Sequence, residues 1–437
     1  MAAGAGPGRG GPGGGAPGDG GAAEAPPPAG PAAGGALLTA GILAVAFNMR
    51  GAITGLPPVF PELTRVAGLS AAAESVLAGV PVLGFALFSL VAPALARRLG
   101  EERVVGLALA LLAGGLAARA AAPGILLFPG TVVASCAIAL MNVLLPSLVK
   151  RRRPGQAGLL VGLYMMTLTT GAVIAAVIAV PAFIAAGGSA GAVRLTYGMW
   201  ALPALAGAVA WLPQLRFRTP PPPPAGRAGV LEMARHALAW QVTAFMGLQS
   251  LSYYATLSWF PTMFRDHGIA AAAAGNLLAL MNAGNAASGL VVPVLAHRAR
   301  DQRALAAVAV AAIAAGLAGA AFGPNEAAIP SVCVLGLGQG GAFGLAVYFF
   351  TARAADGHAS AALSGFAQGA GYLVASLGPL LLGLLHAVTG GWTVPASVLL
   401  AAAAGQLAAG LLAGRAMTVG APGHRPDQPA AVTPAGR

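Results

Sequence analysis

Arg50 is the residue of this sequence whose chemistry is hardest to explain as purely structural. It lies in the segment FNMRGAIT, inside an apolar run from about residue 35 to residue 58. At about 1.5 Å of rise per helical residue, Arg50 would lie roughly 22 Å into a bilayer core about 30 Å thick, deeper than any other charged residue. An ionisable residue at such a depth is costly and generally marks a functional site. We expect Arg50 to face a wet cavity and to bind an anionic or strongly polarised solute; the alternative is an arginine that snorkels or is paired for structural reasons.

Amide and phenol side chains form a second group of candidates within the apolar runs. Gln249 and Tyr253 are four residues apart in GLQSLSYYATLSWFP and share one helical face. An amide donates and accepts hydrogen bonds, and a phenol can donate to an anion or stack on a planar solute. Asn282 and Asn285, three residues apart, could equally bind neighbouring helices. The predicted substrate-binding residues are Asn48, Arg50, Asn142, Gln249, Tyr253, Tyr254, Asn282, Gln339, Gln368 and Tyr372.

Acidic residues are missing from the interiors of the apolar runs. Glu74 begins the second run, and Glu62 and Asp266 lie near the ends of others. The sequence therefore does not predict a proton relay built on a buried carboxylate. Transport could be coupled to protons through Glu74, through His386 or through a proton carried by the substrate, or it could be coupled to no ion at all.

The sequence does not predict an enzyme. The six His are scattered without metal-ligand spacing, and no phosphate-binding loop of the nucleotide-hydrolysing kind occurs. Cys136 and Cys333 each lie in an apolar run, where they are expected to be small packing residues. We expect no metal, no cofactor and no ATP hydrolysis, so that any transport would be secondary.

Composition places the chain among membrane proteins. Of its 437 residues, 57% are apolar and only 8% are charged. Apolar runs of about 20 residues recur, each long enough to cross a bilayer as a helix, which excludes a soluble globular protein. The sequence predicts an all-α membrane protein with twelve transmembrane helices at about 35–58, 71–96, 104–121, 123–148, 156–186, 192–214, 239–264, 271–296, 304–322, 327–352, 361–387 and 392–414.

The basic residues between these helices are strongly biased to one side. Connections that follow even-numbered spans hold fifteen Lys and Arg, and those that follow odd-numbered spans hold four. The positive-inside rule makes the first set cytoplasmic. We expect a multi-pass protein of the cytoplasmic membrane with both termini in the cytoplasm. This bias also explains the net charge of +12, so no nucleic-acid partner is expected.

The predicted helices divide into two domains. Residues 1–34 and 417–437 are predicted to be disordered tails, since their composition cannot bury a core. Residues 215–238 contain five consecutive prolines, which form a stiff spacer. They are predicted to be a cytoplasmic linker between an N-terminal six-helix bundle at 35–214 and a C-terminal bundle at 239–416.

A repeat relates the two halves at an offset of 200 residues. Gly84 corresponds to Gly284, and APALARRLGEER reappears as VPVLAHRARDQR. In the fourth and tenth spans the offset is 197, which pairs Cys136 with Cys333. Because each copy has an even number of spans, both copies have the same orientation and are related by an axis along the membrane normal. This predicts the major facilitator fold, two pseudo-symmetric six-helix bundles with the substrate between them near the midplane.

Several segments also resemble the cyanate and 2-nitroimidazole permease family within the major facilitator superfamily. FNMRGAITGLPPVFPEL is similar to its first span, and the fourth, seventh, tenth and eleventh spans resemble IALMNVLLPSLVKR, GLQSLSYYATLSWFPTMF, LGLGQGGAFGLAVYFF and LSGFAQGAGYLVASLGPLLLGLLHAVTGGW. The resemblance covers residues 36–414. It implies that the transport pathway is lined by Asn48, Arg50, Asn142, Gln249, Tyr253, Gln339 and Gln368.

The chain departs from the pattern of this family in two places. Met141 stands where a glycine usually precedes the Asn of the fourth span, which narrows or repacks that side of the cavity. Ala96 replaces the acid of the loop after the second span, so the usual cytoplasmic gating ion pair of the family would lack its acidic partner.

Taken together, these features predict a secondary active transporter that works by alternating access. Its expected partners are the lipid bilayer, a small-molecule substrate that is polar and anionic or planar, such as a cyanate-like or nitroimidazole-like solute, and possible coupling protons. A monomer is expected. Two other functions remain open, an exporter of uncharged heteroaromatic drugs and a transport-inactive membrane receptor.

Replacing Arg50 with Lys tests whether the guanidinium recognises its ligand through two parallel hydrogen bonds. Lys keeps the positive charge and loses the planar fork of donors. We expect Arg50→Lys to lower transport by about tenfold, because a charge-assisted hydrogen bond is lost. Transport by the purified variant at the wild-type rate would contradict bidentate recognition.

Overall fold

The computed structural model describes residues 32–153, 156–217, 232–355 and 357–419, which are almost entirely helical. Each predicted span corresponds to one long helix, or to a pair in the case of α6, and the predicted and observed boundaries differ by no more than four residues. The helices are α1 Ala32–Thr54, α2 Ala71–Leu99, α3 Glu101–Ala121, α4 Leu127–Arg152, α5 Ala157–Ala185, α6 Ala190–Gly198 and Ala201–Trp211, α7 Ala237–Asp266, α8 Ala271–Arg298, α9 Arg303–Phe322, α10 Ala328–Ala352, α11 Gly357–Thr389 and α12 Thr393–Ala413.

The predicted tails and linker lie largely outside the described residues. Ala32 already belongs to α1, although residues 1–34 were expected to be a disordered tail. At the other end, Val419 exchanges backbone hydrogen bonds with the connection between α10 and α11, donating to Arg353 O and accepting from Ala355 N. The proline run of the predicted linker falls within the undescribed residues 218–231.

The helix α7 differs from the other spans in its polarity. Among the described residues, eleven helices are long and apolar enough to cross a membrane, and α7 is not one of them. Yet 22 of its 30 residues are buried, against helices that include α8, α10, α11 and α12. Because protein surrounds α7 on most sides, its surface does not have to match lipid. It can therefore carry polar side chains through the centre of the molecule.

Glycines with positive φ end the outer helical turns at equivalent places of the two halves. Gly68 has φ 62° after the short helix Phe60–Ala67, and Gly268 has φ 85° after α7. Side chains with a Cβ rarely adopt this left-handed conformation, so glycine favours a helix end there. After the first of these turns, Ser70 accepts a hydrogen bond from Ala73 N and caps the start of α2.

Helix packing repeats from one half to the other. The pairs α1–α5, α2–α4 and α3–α4 of the first half correspond to α7–α11, α8–α10 and α9–α10 of the second. At one such crossing Gly84 faces Ser135, and at the equivalent crossing Gly284 faces the carbonyl of Cys333. Small residues let the backbones approach closely at both places. The predicted all-α membrane fold of two pseudo-symmetric six-helix bundles is confirmed.

Ion pairs and hydrogen bonds join the basic connections within each half. Glu102 pairs with Arg152 at 3.1 Å, and Glu101 pairs with Arg151. At the equivalent place of the second half, Arg353 binds the Gln302 side chain. Although Ala96 removes the expected acid of the loop, neighbouring carboxylates therefore supply ion pairs inside the first half.

The two halves meet through α2 with α11 and through α5 with α8. Near the helix ends opposite the basic connections, a Cβ at Gly275 would lie 2.7 Å from Ala176 O, and Gly383 lies against Ser75. Arg265 of α7 also reaches across to Glu62, with Nη2 at 2.7 Å from Oε1. These contacts close the molecule on that side, which we call the outer side.

Candidate functional site

A cavity of about 530 Å³ lies between the two halves, with walls from α1, α5, α7, α8, α10 and α11. Arg50 and Tyr253 line its deep end. The lining side chains of Met166 and Leu290 lie nearer the basic connections and are 58% and 52% exposed. The cavity is thus closed toward the outer side and opens toward the basic connections.

Arg50 contributes a positive charge to the deep end of this cavity. Its Nη1 donates to the Tyr253 hydroxyl at 2.7 Å, and its guanidinium lies 5.3 Å from the centre of the Tyr253 ring. None of the residues that line the cavity is an Asp or a Glu. A guanidinium has five N–H donors, so most of the hydrogen-bonding capacity of Arg50 is left for a solute.

Tyr253 connects Arg50 to α8 through two hydrogen bonds. Its hydroxyl accepts from Arg50 and donates to Asn282 Oδ1 at 2.9 Å, while Asn282 Nδ2 donates to Leu278 O at 2.9 Å. Asn282 is buried and is not among the lining residues. The phenol therefore bridges the two halves and fixes the guanidinium, which limits how much the arginine must be ordered when a ligand binds.

A second polar chain joins α7 to α10 beside the cavity. Ser250 Oγ donates to Gln249 Oε1 at 3.1 Å, and Gln249 Nε2 donates to the backbone carbonyl of Gln339 at 3.1 Å. The Gln339 side chain donates to Thr256 Oγ1 at 3.0 Å and is fully buried. Gln249 and Ser250 line the cavity, whereas Gln339 fixes the two helices from behind.

The structure brings together five of the ten predicted site residues. Tyr254 contacts the rings of Tyr253 and Phe85, with centroids 5.1 Å and 6.0 Å apart, and Tyr372 lies 6.2 Å from Phe85. These rings form an aromatic cluster beside the guanidinium. The predicted residues that line the cavity are Arg50, Gln249, Tyr253, Tyr254 and Tyr372.

The other five predicted residues are not among the lining residues. Asn48 donates to Ala44 O and to Pro203 O of α6, so it binds α1 to its neighbour. Gln368 donates to Ser364 one turn earlier in α11. Asn142 has an exposed side chain on α4. Asn48, Asn282 and Gln339 bond to neighbouring helices, so sequence alone did not separate lining amides from those between helices, since both need hydrogen-bond partners.

Sequence reasoning left several lining residues out of the predicted site. Asn285 lines the cavity one turn from Asn282, although its spacing had favoured neither the cavity nor interhelical bonding. Met165, Met166 and Phe343 also line the wall. Their apolar side chains look like ordinary lipid-facing residues in the sequence, so no local pattern could have identified them.

A second arginine, Arg119, is buried away from the cavity. Its side chain is 2% exposed and lies within α3, close to the C-terminal end of that helix. Nη2 donates to Ala52 O in the last turn of α1 at 3.3 Å, and the guanidinium lies 5.5 Å from the Tyr197 ring centre. A cation at a helix C-terminus interacts favourably with its unpaired carbonyls. Arg119 thus stabilises the end of α1, one turn beyond Arg50.

The two residues considered for proton coupling lie on the outer side, away from the cavity. His386 Nε2 is 3.8 Å from Asp266 Oδ2, and its ring stacks on Trp392 with centroids 4.0 Å apart. Trp392 Nε1 donates to the same carboxylate oxygen at 2.8 Å. Glu74 of the other half interacts electrostatically with both His386 and Asp266.

Within the described residues, no three His, Cys, Asp or Glu lie close enough together to hold a metal ion. Cys136 and Cys333 are both free thiols. The residues that line the cavity offer hydrogen-bonding groups, the charge of Arg50 and aromatic rings.

Comparison with known proteins agrees with this architecture. The profile of the Major Facilitator Superfamily matches residues 38–379. A 2-nitroimidazole transporter of Escherichia coli is 38% identical over 360 residues, which cover 82% of this chain and 90% of that protein. The cyanate transport protein CynX of Escherichia coli is 28% identical over 352 residues, or 80% and 90% of the two chains.

The fold is also that of a solved transporter structure. A bacterial homologue of the human lysosomal transporter Spinster superposes with a TM-score of 0.65 at 17% identity, over 87% of this chain and 94% of that chain. The chain described here therefore belongs to the major facilitator superfamily, and within it to the family of the cyanate and 2-nitroimidazole permeases.

Proposed function

We propose that this protein is a secondary active transporter of a small planar anion, working by alternating access in the cytoplasmic membrane with both termini in the cytoplasm. The observation that carries the proposal is Arg50, a cation that lines the central cavity without a carboxylate among the other lining residues. The distribution of basic residues supports the orientation, because the basic connections are the cytoplasmic ones under the positive-inside rule.

The geometry around Arg50 supports an anionic ligand. A guanidinium presents its donors in a planar fork that matches two oxygen atoms of one group. One donor is taken by the Tyr253 hydroxyl, and the adjacent Gln249 and Ser250 add neutral polar groups to the same end of the cavity. The anion would lie against this fork, where its charge replaces the carboxylate that a buried arginine otherwise requires.

The names of the relatives support a small substrate with polarised atoms. One relative is named for 2-nitroimidazole and the other for cyanate. A nitro group offers two oxygens with partial negative charge in one plane, and cyanate is a monoanion. Both could accept hydrogen bonds from a guanidinium fork.

Alternating access requires the outer contacts to open when the cavity closes toward the cytoplasm. The strongest of these contacts is the bidentate pair of Arg265 and Glu62, with N–O distances of 2.7 and 3.0 Å. Arg265 also donates to Pro58 O at 3.4 Å. We assign this pair the role of an outer gate, which stabilises the cytoplasm-facing state and breaks in the opposite state.

A second candidate function is export of uncharged heteroaromatic drugs. The cluster of Tyr254, Tyr372 and Phe85 favours it, because aromatic walls bind planar solutes by stacking whether or not they carry a charge. In that case Arg50 would bind a polar acceptor on the drug.

Flux through purified protein in liposomes distinguishes these functions. For an anion transporter we expect uptake of a small planar anion that depends on the membrane potential or on pH. A drug exporter would lower the accumulation of nitroheterocycles in cells and, in liposomes, would move uncharged nitroheterocycles but not the planar anion. Ligand binding without flux in either direction would indicate a receptor and contradict the proposal.

Removing the Tyr253 hydroxyl should weaken anion binding. In Tyr253→Phe the guanidinium of Arg50 loses its hydrogen-bond partner and its link to Asn282, so we expect affinity for the transported anion to fall by about tenfold. The matched control is Tyr348→Phe on α10, at a position outside the cavity lining. This variant should bind the anion with wild-type affinity. Equal affinities for both variants, measured by calorimetry, would refute the role of the bridge.

Neutralising Glu62 should make the outer side open more often. In Glu62→Gln the ion pair with Arg265 becomes a weaker neutral contact, so the cytoplasm-facing state loses stabilisation. A cysteine in place of the buried Ser75, in a chain with Cys136 and Cys333 replaced by Ser, reports this opening. We expect an impermeant maleimide added outside to label it several-fold faster.

The control for this experiment is Glu326→Gln, which removes an exposed carboxylate on the same side. In that variant the labelling rate should equal that of the Ser75→Cys chain with Glu62 intact. The double variant Glu62→Arg/Arg265→Glu restores the ion pair with its charges exchanged, so its labelling should return to the same slow rate. Labelling that is equally fast in all variants would count against an outer gate at this pair.

A further inference from the structure

The cavity has a polar end and an apolar end. Its deep end is lined by Arg50, Tyr253 and Gln249, whereas Met165, Met166, Leu290, Pro293, Phe343 and Val347 line the part nearer the basic connections. A solute that fills both ends must itself be polar at one end and apolar at the other.

The length of the cavity can be read along α8. Asn282 is hydrogen-bonded to Tyr253 and so marks the level of the guanidinium, and Pro293 lines the wall eleven residues later. At about 1.5 Å per residue this separation is roughly 16 Å. A three-atom anion such as cyanate would occupy only the deep end. The cavity of about 530 Å³ instead falls in the size range of sites for drug-sized ligands.

The hydroxyl groups along the α5 wall do not make the apolar end polar. Thr169 Oγ1 donates to Met165 O at 3.0 Å, and Thr170 Oγ1 donates to Met166 O at 2.9 Å. Their donors are therefore used within the helix. The Met165 and Met166 side chains beside them are flexible and polarisable, and such thioethers make favourable contacts with rings and alkyl groups.

An aromatic wall lies beside the guanidinium at the deep end. Tyr254 meets Tyr253 edge to face, with centroids 5.1 Å apart at 73°, and Tyr372 lies 6.5 Å from Tyr254. A flat ring can pack against such edges and faces at a distance of a few ångströms from the guanidinium. One cation without a lining carboxylate favours a single negative charge on the solute.

We propose that the preferred substrate is an aromatic monocarboxylate whose ring carries an apolar substituent. The carboxylate binds Arg50, the ring lies against Tyr254 and Tyr372, and the substituent extends along Met165 and Met166. This inference rests on the proposed function, because it specifies which small planar anion the same site prefers.

Calorimetry on the purified full-length protein with cyanate, benzoate, 4-propylbenzoate and 4-propylbenzamide tests this preference. We expect 4-propylbenzoate to bind about tenfold more tightly than benzoate, since each fully buried methylene contributes about fourfold and the propyl group stays partly exposed. Benzoate should bind more tightly than cyanate. The neutral 4-propylbenzamide should bind at least about tenfold more weakly than the acid, because it lacks the charge that pairs with Arg50.

A substitution in the apolar wall locates the substituent. In Met166→Gln the tenfold preference for 4-propylbenzoate over benzoate should fall to about twofold, because the amide side chain loses its hydration when the propyl group covers it. The matched variant Met166→Leu keeps an apolar side chain and should keep the preference. A preference that is the same in Met166→Gln and wild type would overturn the assigned position.

Failure of this inference can be told apart from failure of the proposed function by Arg50→Gln. If cyanate binds as tightly as 4-propylbenzoate and Arg50→Gln weakens both, the anion site stands and the aromatic preference is wrong. If none of the anions binds, or if Arg50→Gln leaves their affinities unchanged, both the preference and the anion site are wrong.

Discussion

The hydrogen bond between Arg50 and Tyr253 is the interaction on which the central site depends. It joins α1 of the first half to α7 of the second at 2.7 Å, inside the molecule and at the closed end of the cavity. A guanidinium paired with a phenol keeps its full positive charge, whereas pairing with a carboxylate would neutralise it. Asn282 fixes the phenol from behind. The result is a cation whose position is determined by the protein and whose charge remains available to a ligand.

The two halves share a scaffold but contribute different chemistry to the site. At the repeat offset of 200 residues, Ser250 corresponds to Arg50, and both line the cavity. Asn285 on the cavity wall corresponds to Phe85, whose ring contacts Tyr254. The first half thus provides the charge, and the second provides most of the hydrogen-bonding groups. Close helix packing requires small residues at the crossings of both halves. The lining positions do not have this requirement, so their residue types can differ between the two halves.

The polarity of α7 follows from its place in the fold. A helix that faces lipid loses stability with each polar side chain, but α7 is enclosed by other helices and can hold Gln249 and Thr256 in a hydrogen-bonded chain to Gln339. The same enclosure lets Arg265, at its outer end, reach Glu62 of the other half. One helix therefore carries side chains that line the cavity, the hydrogen bond between the halves and the outer ion pair, so the proposed outer gate and the proposed anion site share α7.

The sequence by itself determined the twelve helices, their order and the duplication, because the length and hydropathy of each run are local properties and the 200-residue repeat is visible when the chain is aligned with itself. It also singled out Arg50, since a cation within an apolar run is unusual in any fold. Only the tertiary structure decided which amides face the cavity and which join helices, as for Gln249 and Gln339. The physical reason is that burial between helices and exposure to a wet cavity place the same demand on an amide, a satisfied hydrogen bond, and only the neighbours in space differ.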